Sequence, residues 1–315
     1  MRFRKLVTVG INESSIDASH WKQIDSLAEE RISLTDGSNI EEHLKDADCI
    51  LVDPFAFKVD KNVIDMAPKL KYIGDSLTAY GKIDTEYAKS KGIIVSNVPG
   101  YSTESVAEFV FAIILESIRQ LEKGKDAARE GDYSGLGFSL TEIKGKKFGI
   151  IGLGRIGSRV AEIASGFGAD VMYWSRNRKP ELEAKGIKYD DVERMISECD
   201  FLSLHLAQTK DTENFLNEDR MQKIKKNSIV INTAPMELVD IGALERRLMN
   251  GDMIFILDHS DEMKKDDLAR LSKFDNCIIY PAIAHITKEA KMARQEIFVK
   301  NIENFLKGSP TNRVN

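Results

Sequence analysis

Short apolar runs alternate with amphipathic stretches along the whole of this 315-residue chain. That alternation restricts the fold more than any other feature. A run of four or five apolar residues bounded by turn residues is too short for a helix and too evenly apolar for a strand with one wet face. It suits a strand covered on both sides, with the amphipathic stretches as covers, and so points to parallel sheets layered with helices. In the first third, strands are expected at 6–9, 31–34, 50–52, 70–73 and 93–96, with helices at 18–30, 62–66 and 85–91. A second set falls at 148–151, 171–174, 201–205, 229–232, 254–257 and 278–280, six strands in all.

Between the two sets runs a helical pattern from 103 to about 122, where Ser105 and Glu108 resemble a capping box. The stretch 123–140 has too few apolar residues for a core of its own and reads as an arm over a partner subunit. The last helical pattern, Lys288–Leu306, is expected to return to the first domain. The division is then 1–100 plus 287–315 for one domain and 101–286 for the other. The two crossings, near Pro99–Gly100 and 281–286, form a hinge, with a ligand in the cleft between the lobes.

Charge excludes several partners. The 45 basic and 50 acidic residues leave a net −5 spread evenly along the chain, with no basic block for nucleic acid. No apolar run approaches a membrane span, and MRFRKLVTVG enters a strand pattern at once where a signal peptide would carry an apolar core. Cys49, Cys199 and Cys277 lie far apart in apolar surroundings, as reduced thiols do, and no metal-ligand spacing occurs. These features lead us to expect a cytoplasmic protein without a metal. His20 and His43 fall in amphipathic segments and are expected to face solvent.

The segment Gly149-Ile-Ile-Gly-Leu-Gly-Arg-Ile-Gly157 follows an apolar strand and opens an apolar helix. In that setting Gly152 permits a tight turn, Gly154 lets backbone approach a pyrophosphate, and Gly157 lets helix pack on strand. The helix N-terminus then offers free amides and a partial positive charge to phosphates. The next strand ends in Tyr173-Trp-Ser-Arg-Asn-Arg178. Ser175 stands where an NAD-binding domain carries an acid for the ribose 2′-hydroxyl, and Arg176 and Arg178 stand beside it. A missing carboxylate removes repulsion, and a guanidinium binds phosphate through two hydrogen bonds, so NADP(H) is favoured over NAD(H).

With these motifs in view, the chain resembles the D-isomer-specific 2-hydroxy-acid dehydrogenases over nearly its whole length. The resemblance is carried by LKYIG (70–74), KGIIVSNVPG (91–100), ESVAEF (104–109), GKKFGIIGLGRIG (145–157), CDFLSLHL (199–206), and NTA with VDIGALERRL (232–248). It implies an α/β fold of two doubly wound parallel-sheet lobes, a flavodoxin-like substrate lobe and a Rossmann lobe. It also implies a homodimer through residues 103–140 and a small 2-oxo or 2-hydroxy acid in the interdomain cleft. Carried across position by position, it assigns cofactor contacts to Gly152, Gly154, Arg155, Ile156, Gly157, Ser175, Arg176, Arg178, His205, Thr233, Ala234 and Asp258. Substrate contacts fall to Leu77, Thr78 and Ala79, with Asp53 nearby.

The family's reaction needs a proton donor and an anchor for negative charge, because hydride arriving at a carbonyl leaves an alkoxide. The family supplies a His–Glu pair and an arginine. Here Pro235 follows Asn232-Thr-Ala234 where the arginine belongs, Met263 takes the glutamate position, and Ala282 takes the histidine position. The substrate loop, glycine-rich in the family, reads Ser76-Leu-Thr-Ala79. His285, three places on, and Glu262, one place early, are the candidates for a relocated catalytic pair. Asp53, Asp75, Phe55 and Phe57 suit a neutral or cationic ligand with an apolar part. Two functions stand open at this point: an NAD(P)-dependent oxidoreductase with a non-standard active site and substrate, and a non-catalytic NAD(P)-binding sensor.

Overall fold

Every strand ladder in the computed structural model, which describes residues 1–315, is parallel, so each strand ends at the same edge of its sheet as its neighbours. The chain forms two units, one from Met1–Ser102 with Thr287–Asn315 and one from Thr103–Ile286.

The first unit contains β1 (Phe3–Val9), β2 (Ala28–Leu34), β3 (Cys49–Val52), β4 (Tyr72–Asp75) and β5 (Ile94–Ser96) in the order β2-β1-β3-β4-β5. The order reverses between β1 and β3, the place where a doubly wound sheet opens a crevice at its carboxyl edge. β3 and β4 are buried along their whole length, as their near-continuous apolar sequences require. The helix Lys288–Leu306 covers one face of this sheet. Phe298, Val299 and Ile302 are buried on it with Phe3, Leu51 and Tyr72, and Phe305 lies against the Tyr72 ring with centroids 4.6 Å apart. Gly74 makes the close approach possible, since a Cβ there would meet Leu51 at 2.6 Å and Phe298 at 3.5 Å.

The second unit contains β6 (Lys147–Ile151), β7 (Asp170–Trp174), β8 (Lys188–Tyr189), β9 (Phe201–Leu204), β10 (Ser228–Asn232), β11 (Met253–Leu257) and β12 (Cys277–Ile279), in the order β12-β11-β10-β9-β6-β7-β8. The helix Thr103–Arg119 packs on the helix Arg155–Gly166, and the two share a core with Phe148, Ile150 and Phe201. The three cysteines are free and buried, and burial pushes the thiols of Cys199 and Cys277 up to about 12. No helix is long and apolar enough to cross a membrane, and no group of three or more metal-ligating side chains is gathered in one place.

Several local expectations change. The helix expected over 18–30 ends at Ser26, and residues from Ala28 onward pair with β1 instead; register with β1 overrides the helical preference of Ala28-Glu-Glu30. A seventh strand, β8, is too short and polar to be read from periodicity. Ser105 is no capping residue: it lies inside the helix that begins at Thr103, and its hydroxyl donates to the Ala284 carbonyl at 2.6 Å. His20 is buried, its Nδ1 without a partner, although its amphipathic segment points to solvent. The arm is also partly ordered. Gln120 adopts a left-handed conformation (φ 48°) and starts a second helix, Leu121–Arg129, beyond which Tyr133 and Leu136 stand exposed.

Candidate functional site

In the second unit, the polar groups gather at the carboxyl ends of the strands. The turn after β6 shows three glycines with three separate reasons. Gly152 has φ +98°, and a Cβ there would meet the His205 backbone at 2.7 Å. A Cβ on Gly157 would meet the Gly152 carbonyl oxygen at 2.1 Å. Gly154, by contrast, has no protein atom within 4 Å of a Cβ, so the fold itself leaves that space open. Gly154 caps the helix Arg155–Gly166, and the amides of Arg155 and Ile156 have no partner in the chain. Open backbone, free amides and a helix N-terminus at one point form a phosphate cradle.

Beyond β7, Ser175 is buried and donates to the Asn177 carbonyl, so no carboxylate occupies the ribose position. The two arginines differ. Arg178 is engaged: its Nε donates to Glu183 at 3.0 Å, and its guanidinium stacks 5.1 Å from the Tyr189 ring. Arg176 is largely exposed and only loosely paired with Asp211 at 3.6 Å.

His205, just past β9, hydrogen-bonds through Nε2 to the Ser203 hydroxyl at 2.8 Å. Though part of its surface reaches solvent, its ring is closely surrounded by protein, and burial pushes it down to about 3, so it is neutral at neutral pH. Past β10, Thr233 has a buried hydroxyl with no partner, and the amide of Ala234 donates to Asn232 Oδ1 at 3.2 Å. Past β11, Asp258 is buried, its Oδ2 accepting from the Ala284 amide at 3.3 Å and its Oδ1 unpartnered. Burial raises its carboxyl above the usual range, against the opposing pull of His259 and His285. His285 itself is exposed. Glu262 lies in the turn Ser260–Glu262, where its carboxylate stands 3.6 Å from His259 Nδ1.

A dinucleotide fits these residues. The cradle at Gly154 has room for a phosphate, and the orphaned buried atoms of Thr233 and Asp258 are a donor and an acceptor of the kind an amide and a ribose satisfy.

The first unit has a second group at its own carboxyl edge. Asp53, just past β3, is half-buried, and its Oδ1 accepts from the Phe55 amide at 2.9 Å. Phe55 is exposed, whereas Phe57 packs beneath the loop. The loop Leu77-Thr-Ala79 is pinned from below: the Val98 amide donates to Leu77 at 2.8 Å, Thr78 Oγ1 donates to Val98 at 2.7 Å, and Asn97 Nδ2 donates to Thr78 at 2.7 Å. The backbone amides of Thr78 and Ala79 have no partner in the chain. Asp75, the last residue of β4, is fully buried, and its Oδ1 accepts from the Leu77 amide at 2.7 Å. Burial above all, with the charge of Asp53 adding to it, pushes Asp75 up to about 8. Tyr101 lies in the field of both acids, and burial raises its hydroxyl too. Sequence reasoning does not single out Tyr101 or Asn97; their place beside Pro99–Gly100 is the one signal that marks them.

Two doubly wound units, one of them with a phosphate cradle between its first strand and the helix that follows, define a nucleotide-binding α/β protein of two lobes. A family model described as D-isomer specific 2-hydroxyacid dehydrogenase, NAD binding domain, matches residues 111–284. A glyoxylate reductase of Thermococcus litoralis is 38% identical over 271 residues, 82% of this chain and 81% of the relative. The D-lactate dehydrogenase of Aquifex aeolicus, solved with NAD and lactic acid, superposes with a TM-score of 0.83 at 30% identity, covering 96% of each chain. An acyclic imino acid reductase solved with NADPH and D-Arg superposes with a TM-score of 0.85 at 27% identity, covering 98% of this chain and 100% of the other. The chain belongs to the D-isomer specific 2-hydroxyacid dehydrogenase family, whose members are oxidoreductases with a nicotinamide cofactor.

Two expected outcomes follow from this geometry. Gly157→Ala should lower stability by roughly 1–3 kcal/mol, because its methyl collides with fixed backbone. Gly154→Ala should leave the thermal melt in place and weaken nicotinamide dinucleotide binding about tenfold or more, the equivalent of about 1.4 kcal/mol. Equal loss of stability in both variants would remove the distinction. For Asp75, the folded protein holds a proton that the unfolded chain releases near pH 4. Stability should therefore fall as pH rises from about 4 to about 8, by several kcal/mol at the order-of-magnitude level, and level off above. Asp75→Asn should flatten that decline in a series of melts at fixed pH.

Proposed function

We propose that the protein is an NADP(H)-favouring reductase of the 2-hydroxyacid dehydrogenase type whose reacting groups are not those usual in the family. The contrast between two sets of residues carries this reading. The nucleotide cradle of the second unit is intact, with a neutral Ser175 and a loosely held Arg176 at the ribose position. At the ends of β10 and β12, however, Pro235 and Ala282 stand where the resemblance calls for a cation and a proton donor.

In this reading the second unit holds the nucleotide through Gly152, Gly154, Arg155, Ile156, Gly157, Ser175, Arg176, His205, Thr233, Ala234 and Asp258. The nucleotide, when bound, supplies or accepts a hydride. The amides of Arg155 and Ile156 and the helix dipole hold its phosphates. Asp258 accepts a hydrogen bond through its free oxygen, and Thr233 donates one. His205, being neutral, adds no charge to this edge. NADPH in the imino acid reductase and NAD in the D-lactate dehydrogenase make both coenzymes available to this architecture; Arg176 tips the choice towards the 2′-phosphate. Arg178, engaged by Glu183, has the lesser part.

The first unit holds the substrate, through the amides of the Leu77-Thr78-Ala79 loop with Asp53 alongside. His285 is the residue we assign to proton handling; Glu262 acts on it through the loop it shares with His259. The exposed apolar side chains of Tyr133 and Leu136 support a homodimer built on residues 103–140.

Arg176→Ala should weaken NADPH roughly 10- to 100-fold, the worth of a charge-assisted hydrogen bond or two, while NADH changes less than about twofold. Equal weakening of both in a fluorescence titration would overturn the assignment. His285→Ala should lower turnover about 10²-fold or more with coenzyme affinity intact. An unchanged rate removes His285 from the reaction. Coenzyme binding with no turnover of any carbonyl or imine would favour the other reading, a nucleotide-binding sensor.

A further inference from the structure

Asp75 leaves one carboxylate oxygen unaccounted for. Oδ1 is held by the Leu77 amide, but Oδ2 is buried and meets no donor. A buried polar atom without a partner costs free energy that the fold does not recover internally. The groups around it make matters worse. Asp53 from the end of β3 adds a like charge, Tyr72 from β4 and Tyr101 from beyond β5 are neutral, and no cation is among the charges that act on it, Lys82 being engaged by the Phe55 carbonyl at 3.4 Å. Arg294, on the C-terminal helix, exerts its field on Tyr101. A buried acid beside a second acid stays protonated until a positive group arrives to pair with it.

A few residues along the chain, Thr78 and Ala79 present two unpartnered amides on a loop fastened by three hydrogen bonds. Those amides suit a carboxylate, as the glycine-rich loop of the family does. One short segment thus offers an anchor for an anion and a buried counter-charge for a cation.

The chemistry of reduction explains why both would be wanted. Hydride added to a carbonyl carbon sends the π pair to oxygen, and the resulting alkoxide must be stabilised and protonated. Hydride added to the carbon of a protonated C=N bond sends the π pair to nitrogen. The nitrogen becomes a neutral amine, no alkoxide forms, and that step needs no proton. A reduced nicotinamide is the two-electron reductant in both cases. The proton already on nitrogen must come earlier, from water. A chain that has Pro235 and Ala282 in place of the cation and the acid, yet buries an unpaired acid, is fitted to the second case.

We propose that Asp75, with Asp53 beside it, is the counter-charge for a cationic nitrogen at the reacting carbon, and that the substrate class is a 2-imino acid. The proposal rests on the nicotinamide-dependent reading above. The neighbouring imino acid reductase, with NADPH and D-Arg bound, has the same overall fold.

The test uses the NADP⁺-loaded protein and calorimetric binding of D-alanine, D-arginine and D-lactate. The two amines should bind at least about tenfold more tightly than D-lactate. Because Asp75 must ionise to pair, their affinity should rise towards tenfold per pH unit from about 6 to 8 and then level off. Asp75→Asn should remove both the preference and the slope while NADPH affinity stays as it was. NADPH oxidation with pyruvate should be at least about tenfold faster when ammonium is present. Equal rates with and without ammonium overturn the proposal, as does a slope that survives Asp75→Asn. Tight binding of D-arginine with D-alanine no better than D-lactate also overturns it, because the cation would then lie on the side chain. Should Asp75→Asn fold poorly, Asp53→Asn provides the same check, since removing the like charge must move the pH midpoint lower. Failure to bind NADPH at all would instead sink the nicotinamide reading.

Discussion

The Gly157–Gly152 contact is the constraint on which the nucleotide unit turns. A Cβ at 157 would lie 2.1 Å from the carbonyl oxygen of 152. Only without that atom does the helix Arg155–Gly166 start directly on the end of β6, and only there do its free amides open onto the sheet edge. The parallel pairing of β6, β7, β9, β10, β11 and β12 then brings each following loop to the same edge. Ser175, His205, Thr233, Asp258 and Ala284 are neighbours along that edge because the strands share a direction, although they lie far apart in the chain. Their burial follows from the same geometry, and burial is what holds His205 neutral and raises Asp258.

The first unit obeys the same rule with opposite electrostatics. Its carboxyl edge ends in two acids, Asp53 and Asp75, with Lys82 reaching only the Phe55 carbonyl at 3.4 Å, whereas the second edge carries one buried acid, Asp258, and the exposed Arg155, Arg176 and Arg178. A carboxylate held neutral in the free protein is a store of unfavourable energy released only when something positive arrives. A plain anion gives Asp75 nothing to ionise against, while a molecule with a cationic nitrogen next to its carboxylate offers a partner for each charge.

Much of this is legible in the amino-acid sequence. The strand positions are readable because fully covered parallel strands are apolar along their length, and the cradle because each of its glycines has a steric or electrostatic reason. The C-terminal helix is readable as 19 residues of good helix formers without a glycine or proline. What escapes has physical causes as well. β8 contributes two polar residues and no pattern. The end of the helix at Ser26 is set by pairing of Ala28 with Phe3, a contact that local propensity cannot anticipate. The break at Gln120 is a backbone event at a residue whose side chain gives no notice of it. The burial of His20 depends on its packing, which a helical pattern read alone does not reveal. At the site, the glycines and the missing carboxylate at Ser175 are explicit, but the difference between Arg176 and Arg178 rests on Glu183 and Tyr189, and the orphaned oxygen of Asp75 emerges only from the placement of β4 in its sheet.

The first unit is assembled from two stretches that lie on either side of the second unit in the chain, and Phe298 and Ile302 from the later stretch fill its interior. During translation, the middle unit has its whole sequence available while the earlier stretch still lacks a wall of its hydrophobic interior. The usual N-to-C order of domain maturation is thereby inverted. The helix Lys288–Leu306 must leave the ribosome before the acid-bearing unit closes, so the nucleotide-binding unit can fold first.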